Sequence, residues 1–364
     1  MNLKVKLLLL LFSVFLNATE INEEDLKKMI GQMLVVGFNE KAITKESQIY
    51  KDIKKYNLGG VILFDRYYMD RSVTKNVESP LQLKALTTAL QSIREEKLLI
   101  SIDQEGGKVA RLKKEYGFGV TPSAKSIGEK GDAKYASSVY ASLAGELANG
   151  GINCNFAPVV DLSRNAENKV IVGLERSYGK SAQEVSKFAQ IFIDEQKKKK
   201  VVSVLKHFPG HGSSLGDSHK GFVDVTNTWD KIELEPYKRL IKEGKVDMIM
   251  TAHVFNKNLD KNYPATLSYN VNTNILRKEL GFKGVIISDD LQMKAISEHY
   301  SLKQSLTLAI NAGVNILLFG NQLGTQSVSE LIDTIYQQVK NGAIDIQKIK
   351  YSNCLIEQLK ENAL

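Results

Sequence analysis

Cysteine, proline and tryptophan are scarce in this chain of 364 residues, which holds two, six and one of them respectively. Two cysteines cannot make a disulfide framework, so the fold has to rest on an apolar core. Cys154 and Cys354 are expected as two unpaired, buried thiols, with one long-range disulfide as the alternative. No Pro/Ser-rich tract, low-complexity segment or sequence repeat divides the chain, so one domain is the economical reading. A long hydrophobic run is also missing. The stretch Leu7–Leu16 is too short for a comfortable membrane span. It follows Lys4 and Lys6 and precedes Asn17-Ala18-Thr19, the layout of a secretory signal over residues 1–18. A retained anchor is the alternative, and without a cysteine after the run a lipoprotein anchor is not expected. Residues 19–364 are then one domain, periplasmic or secreted, with no stable membrane span after signal removal. If the leader is not a working signal, the location is cytoplasmic.

The balance of charge excludes less. The formal net charge of +8 falls to +6 on loss of Lys4 and Lys6 (8 − 2). Part of the excess is the run Lys197–Lys200, at the expected end of a helix, where lysines suit the helix dipole and solubility. No basic face with interleaved aromatics is present, so nucleic acid is not an expected partner. Gly210-His211-Gly212 lacks the lysine and Ser/Thr of a phosphate loop.

What the chain does have is rhythm. Short, β-branched apolar runs recur at Met33–Phe38, Gly59–Phe64, Leu98–Asp103, Ile152–Val160, Val201–His207, Val246–His253, Gly284–Ser288 and Val314–Phe319. Nearly continuous apolar runs suit parallel strands buried on both faces. Between them, segments such as Leu81–Glu96, Ala133–Ala148 and Ala182–Gln196 place apolar residues three and four apart, as amphipathic helices do. Ile344–Leu359 reads as a terminal helix packed outside. Eight strands alternating with helices predict an α/β fold, a (β/α)₈ TIM barrel, with an open doubly wound sheet as the alternative.

Active sites of such barrels form on the loops after the strands. Here those loops carry the chemistry. The third run ends at Asp103 and leads to Arg111; the fifth ends Lys206-His207 and leads to His211 and Asp217-Ser218-His219; the sixth ends at His253; the seventh ends Ser288-Asp289-Asp290. Four of the five histidines fall at these ends. Glycosidic cleavage needs one group to protonate the leaving oxygen and another to stabilise or attack the sugar carbon. An aspartate leaving the seventh strand suits the second task. His219 suits the first, because residues two apart in an extended loop share a side and Asp217 can orient the ring and favour its protonated form. Gly210, Gly212 and Gly216 point to a loop able to move. Plainer readings stand beside these. Asp103 and Arg111 could be a structural ion pair, Asp289 and Asp290 a helix cap, Asp217–His219 a turn, and His253 could line the site or pack beneath it. A metal-dependent hydrolase built on His207, His211, Asp217 and His219 is a further alternative, although their spacing matches no standard zinc motif.

The run Lys206-His207-Phe208-Pro209-Gly210-His211-Gly212, followed by Asp217-Ser218-His219, closely resembles the signature of the β-N-acetylglucosaminidase branch of family 3 glycoside hydrolases. Asp103–Gly107, Phe156–Asp161, Glu175–Gly179, Pro264–Ser268 and Ser288–Leu291 match the family's order as well, covering about residues 25 to 325. The resemblance implies a retaining double displacement, with Asp289 as nucleophile and His219 as acid/base assisted by Asp217. It implies that Asp103, Arg111, Arg176, Lys206 and His207 hold the terminal sugar's hydroxyls, and that neither metal nor cofactor is needed. The expected substrate is non-reducing terminal N-acetylglucosamine on peptidoglycan-derived fragments. Phosphate in place of water as acceptor, or a barrel that binds cell wall without turnover, are the other outcomes. Lys108 stands where arginine is common and Gln104 where histidine is common, both expected to alter supporting contacts rather than chemistry. The sandwich-like second domain of the family's β-glucosidases is not seen, which favours the single-domain branch. Compact Gram-negative members usually work in the cytosol on recycled wall fragments, so the signal-like leader sets this chain apart.

Overall fold

A computed structural model of the chain describes residues 21–364; the signal-like segment over residues 1–18 lies outside the described residues. Among the described residues ten strands run in chain order: β1 (Leu34–Gly37), β2 (Gly60–Leu63), β3 (Leu99–Ile102), β4 (Cys154–Asn155), β5 (Val202–Phe208), β6 (Val223–Asp224), β7 (Met248–Thr251), β8 (Val254–Phe255), β9 (Val285–Ile287) and β10 (Leu317–Phe319). Eight of them form one parallel sheet in the order β10-β1-β2-β3-β4-β5-β7-β9. A parallel bridge between Ile287 and Ile316, with the Ser288 N–H donating to the Ile316 carbonyl at 2.9 Å, joins the two ends. The sheet therefore closes into a (β/α)₈ barrel, as the alternating runs predicted, and the open sheet is excluded. β6 and β8 make a separate two-stranded ribbon above it.

The helices are α1 (Glu23–Gln32), α2 (Gln48–Tyr56), α3 (Pro80–Gln91), α4 (Ala124–Lys130), α5 (Ala133–Asn149), α6 (Ala182–Lys198), α7 (Glu235–Lys242), α8 (Lys294–Ser297), α9 (Leu302–Ala312), α10 (Val328–Lys340) and α11 (Ile346–Ala363). Their ends follow local chemistry. Ser181 caps α6 through the Glu184 N–H, Ser301 and Gln304 form a reciprocal capping box at α9, and Lys197 and Lys198 occupy the last turn of α6. α6 buries Val185, Phe188, Ala189, Phe192 and Ile193, and Phe192 meets Tyr140 of α5 edge to face at 4.7 Å. Each large apolar side chain so buried stabilises the shell by roughly 1.5–3 kcal/mol.

Three expectations shift. The fourth run was expected as a strand over Ile152–Val160, but β4 is two residues long. The Asn155 side chain takes over the ladder there, accepting from the Gln104 N–H and donating to the Gln104 carbonyl, each at 3.0 Å, and Pro158 has no N–H with which to continue. The helix expected over Leu81–Glu96 stops at Gln91, where the Arg94 guanidinium turns to Asn57 Oδ1 and the Lys97 carbonyl. Both thiols are free, as expected, yet only Cys154 is buried. Cys354 is exposed because the inward stripe of α11 runs through Ile349, Ser352, Asn353, Ile356 and Leu359, out of phase with it. Among the described residues no helix is long and apolar enough to cross a membrane.

Candidate active site

The polar side chains gather at the C-terminal mouth of the barrel, on the loops after β3, β4, β5, β7 and β9. Beneath that mouth lies a buried ion network. Glu105 receives the Arg176 guanidinium on both oxygens, at 2.8 and 2.7 Å, and the Lys206 ammonium at 2.8 Å. Lys206 also donates to Asp103 at 2.7 Å, and Arg111 approaches the other Asp103 oxygen at 3.6 Å. Burial raises the Glu105 pKa, but the charges of Arg176 and Lys206 more than offset it and hold this carboxyl far below the usual range. Burial likewise opposes the Lys206 charge, and Asp103 and Glu105 outweigh it, so the ammonium is held above its ordinary value. Asp103 and Arg111 remain partly open to solvent, whereas the Lys206 side chain is 3% exposed and that of Glu105 6%. Asp103 and Arg111 thus form the accessible rim, with Lys206 and Arg176 fixed below it. On the far side of Arg111, the buried Asp65 accepts from Lys113 at 2.6 Å and from Arg66 at 2.8 Å.

His207 links this network to a second buried carboxylate. Its Nδ1 lies 2.7 Å from Asp161 Oδ2, and Arg176 Nη2 lies 3.3 Å from its Nε2. A guanidinium can only donate, so Nε2 is the acceptor and Nδ1–H donates to Asp161. Asp161 further accepts the backbone N–H groups of His207, at 3.2 Å, and His211, at 2.8 Å. Burial raises its carboxyl pKa, and His207 and His211 more than reverse that.

His219 and Asp217 sit together on the loop after β5. The ring Nδ1 lies 2.9 Å from Asp217 Oδ1, and the same oxygen accepts the His219 backbone N–H at 3.0 Å. This leaves Nε2 as the ring nitrogen able to meet a substrate. The side chain is 44% exposed, so it stands at the open face. Burial opposes the imidazolium, but the Asp217 hydrogen bond and the charges of Asp289 and Asp217 outweigh it, raising the histidine pKa. The Asp217 carboxyl is lowered in turn, chiefly by its bond to His219. The Ala295 N–H, just past the start of α8, donates to the Ser218 carbonyl at 3.2 Å and ties the loop to the segment that follows Asp289 and Asp290.

At the end of β9 the two aspartates part. Burial raises Asp289, but His253, His207 and His219 and the Asp290 N–H more than compensate, leaving it below the ordinary value. Asp290 is pushed up to about 7, by burial first and by the neighbouring Asp289. Asp290 accepts from the Gln292 N–H at 3.0 Å within a turn, while Asp289 accepts from the Asp290 N–H at 2.8 Å; neither caps a helix, since α8 begins after Met293 without a side-chain cap. Asp289 is therefore the carboxylate disposed to stay charged, a distinction that periodicity does not make. His253 is buried beneath them. Its Nε2–H donates to the Asp290 carbonyl at 2.9 Å, and its Nδ1 accepts from the Thr266 hydroxyl at 2.8 Å. Burial lowers its pKa, so it packs neutral under the site.

Asp289, His219, Asp217, Asp103, Arg111, Arg176, Lys206 and His207 thus all come from the strand ends and loops at the barrel mouth, whereas His253 packs beneath it. Among the described residues no group of three or more His, Cys, Asp or Glu is disposed to hold a metal ion, so His207, His211, Asp217 and His219 do not assemble as one ligand set. His211 instead turns its Nδ1 to Ser214 Oγ at 2.7 Å, and burial lowers its pKa to about 4. Gly210 and Gly212 stand at points of close approach. A Cβ at Gly210 would stand 2.5 Å from that of Glu233, and one at Gly212 would stand 1.7 Å from the Leu162 carbonyl oxygen. Gln104 and Lys108 do act as supports: Gln104 Oε1 accepts the N–H groups of Arg111 and Leu112 at 2.7 and 2.9 Å, and Lys108 reaches Glu175 at 3.0 Å. Sequence reasoning missed Glu105 and Asp161 as members of the site. Glu105 was legible in principle, being two residues past Asp103 and so on the same side of an extended chain. Asp161 ends the Phe156–Asp161 stretch that resembles the family, but its sequence neighbours give it no role, because its partners come from another loop.

Comparison with known proteins agrees with this geometry. The family described as Glycosyl hydrolase family 3 N terminal domain matches residues 25–358. The chain is 35% identical over 303 residues to a Beta-hexosaminidase of Nitrosomonas eutropha, covering 81% of each chain. It is 34% identical to Beta-hexosaminidase A of Pseudoalteromonas piscicida over 85% of its own length, and there it spans only 54% of the relative. Among solved structures, a family 3 β-N-acetylglucosaminidase from Paenibacillus sp. str. FPU-7 superposes with a TM-score of 0.83 at 34% identity, over 93% of this chain and 62% of that one. A β-N-acetylhexosaminidase from Beutenbergia cavernae gives 0.82 at 25% identity, over 92% and 98%. Barrel, mouth and match together place the chain in glycosyl hydrolase family 3, to which it belongs across nearly all of its described length.

Proposed function

We propose that the protein is a retaining exo-β-N-acetylglucosaminidase that removes terminal N-acetylglucosamine from peptidoglycan-derived fragments. The observation that carries the reading is the Asp217–His219 pair, 2.9 Å apart, on a loop tied to the segment that bears Asp289. In the first step protonated His219 gives its Nε2 proton to the glycosidic oxygen while an Asp289 oxygen bonds to the anomeric carbon and the C–O bond to the leaving group breaks. In the second step His219 takes a proton from water, the resulting oxygen attacks the anomeric carbon, and the bond to Asp289 breaks. Asp103 and Arg111 at the rim, with Lys206, His207 and Arg176 behind them, supply charged donors and acceptors of the kind that polyhydroxyl recognition requires. The basic and apolar leader in residues 1–18 supports export to the periplasm or beyond. Relatives named for β-hexosaminidase and β-N-acetylglucosaminidase activity support the sugar specificity.

The test is turnover of paired aryl β-N-acetylglucosaminide and β-glucoside substrates with chelator present, together with Asp289→Asn and His219→Ala. The expected result is chelator-resistant preference for the N-acetyl sugar, lost by a factor of about 10² or more in each variant. Near wild-type turnover in both variants, or preference for the glucoside, overturns the assignment. Product analysis with and without phosphate identifies the acceptor, and fractionation of cells expressing the full chain tests export.

A further inference from the structure

The excursion that carries His219 leaves β5 at Pro209 and returns through residues 225–234 before α7 begins. Its two stems are fastened together. On the returning stem, the Trp229 indole N–H donates to the Pro209 carbonyl at 3.1 Å, and Glu233 Oε2 accepts the Gly212 N–H at 2.8 Å. The departing stem is wedged at that point, since neither Gly210 nor Gly212 has room for a Cβ against Glu233 and the Leu162 backbone. Two successive amides, those of His211 and Gly212, are therefore taken by two carboxyl groups, Asp161 at 2.8 Å on one side and Glu233 on the other. Asp161 serves His207 as well, so its position is already accounted for. Glu233 is not: among the described residues it forms no ion pair, it is 1% exposed, and beyond the Gly212 amide its carboxyl meets only the hydroxyl and N–H of the adjoining Ser213 on the same departing stem.

We propose that Glu233 is a positioning residue for the acid/base loop, clasping the two stems through the Gly212 amide and so setting where His219 stands relative to Asp289. Trp229 is the second point of the same clasp. The inference rests on the reading of His219 as the acid. A hydrogen bond at the root of a loop fixes the direction in which the next seven residues leave, and a displacement of about 1 Å at a proton donor can lower a rate by about a hundredfold. The residue's proton supports the choice of control: burial, then the nearby Asp161, pushes the Glu233 carboxyl up to about 7, so glutamine is a close mimic of its neutral form and keeps an acceptor for Gly212.

The experiment compares full-length wild type, Glu233→Ala, Glu233→Gln and Trp229→Phe on two substrates of one sugar. One is di-N-acetylchitobiose, whose leaving group must be protonated; the other is a 2,4-dinitrophenyl β-N-acetylglucosaminide, whose leaving group departs unaided. A displaced acid lowers kcat/KM, which reports the first step alone, on the disaccharide by roughly 10- to 100-fold in Glu233→Ala and leaves that of the dinitrophenyl substrate within about 3-fold, while kcat on both senses the same residue as base in the second step. Trp229→Phe moves the same way by less, and Glu233→Gln stays near wild type on both. Equal losses on the two substrates, or no loss on either, overturn the proposal. A readout independent of turnover is the His219 ring titration followed by NMR, identified with His219→Ala. In Glu233→Ala the midpoint moves toward that of an ordinary histidine, and in Glu233→Gln it does not; an unmoved midpoint in Glu233→Ala overturns the clasp. If wild type cleaves neither substrate, the enzyme assignment falls while the titration still decides the role of Glu233.

Discussion

Replacing Glu105 by glutamine keeps the shape of the side chain and removes one charge from the centre of the site. Arg176, with a side chain 9% exposed, then loses its bidentate carboxylate, and Lys206 keeps only Asp103 at 2.7 Å. Removing one partner from a buried ion pair destabilises by about 3–5 kcal/mol, because an unmatched charge stays out of water. At about 2 °C per kcal/mol for a domain of this size, the melting temperature should fall by about 6–10 °C. Removing Arg176 as well should restore part of the loss, since Lys206 and Asp103 still pair, and a double-mutant cycle with Arg176→Leu should show a coupling of about 1–3 kcal/mol. The pH dependence has a defined sign. Glu105 has a depressed pKa in the folded state, so its contribution is present above the unfolded value of about 4.3 and fades as pH falls from there toward the folded value. Thermal melts of the three variants and wild type at pH 7 and pH 3 measure all of this. A Glu105→Gln protein that melts within 2 °C of wild type at pH 7, or a cycle with purely additive effects, would refute the view that this network is held together by buried charge.

Two further outcomes follow from the same geometry. Asp217→Asn should move the alkaline limb of kcat/KM to lower pH, because the hydrogen bond that does most to raise the His219 pKa is weakened and the protonated acid is lost earlier as pH rises; a limb that stays in place would show that Asp217 does not govern the acid. One thiol, Cys354, should react rapidly with a disulfide reagent in the native protein, and the second, Cys154, only on unfolding, since burial pushes its pKa up to about 12; two fast thiols would contradict the placement of β4 inside the barrel.

The alternation of apolar runs was enough to predict parallel strands covered by helices, because strands buried on both faces need continuous Val, Ile and Leu while their covering helices need a 3.6-residue stripe; that the sheet closes was decided by the bridge between Ile287 and Ile316. The alternation also placed Asp103, Lys206, His207, His253 and Asp289 at the mouth, since a residue that ends a barrel strand has nowhere else to go. The Asp217–His219 pair was legible for a local reason, being two residues apart on one extended stretch. What the sequence left open was decided by contacts between loops distant in the chain. Asp289 and Asp290 are adjacent and chemically alike, and burial raises both; only the histidines around Asp289 and the Asp290 N–H that it accepts tell them apart. Glu105, Asp161 and Glu233 are ordinary acidic residues in the sequence, and become structural only when Arg176, His207 and Gly212 arrive from 71, 46 and 21 residues away. His253 could have lined the site or packed below it, and the Thr266 hydroxyl and the Asp290 carbonyl settle that it packs below. Periodicity reports on burial, which is a property of each position. Charge pairing and loop closure are properties of pairs of positions, and only the folded chain brings those pairs together.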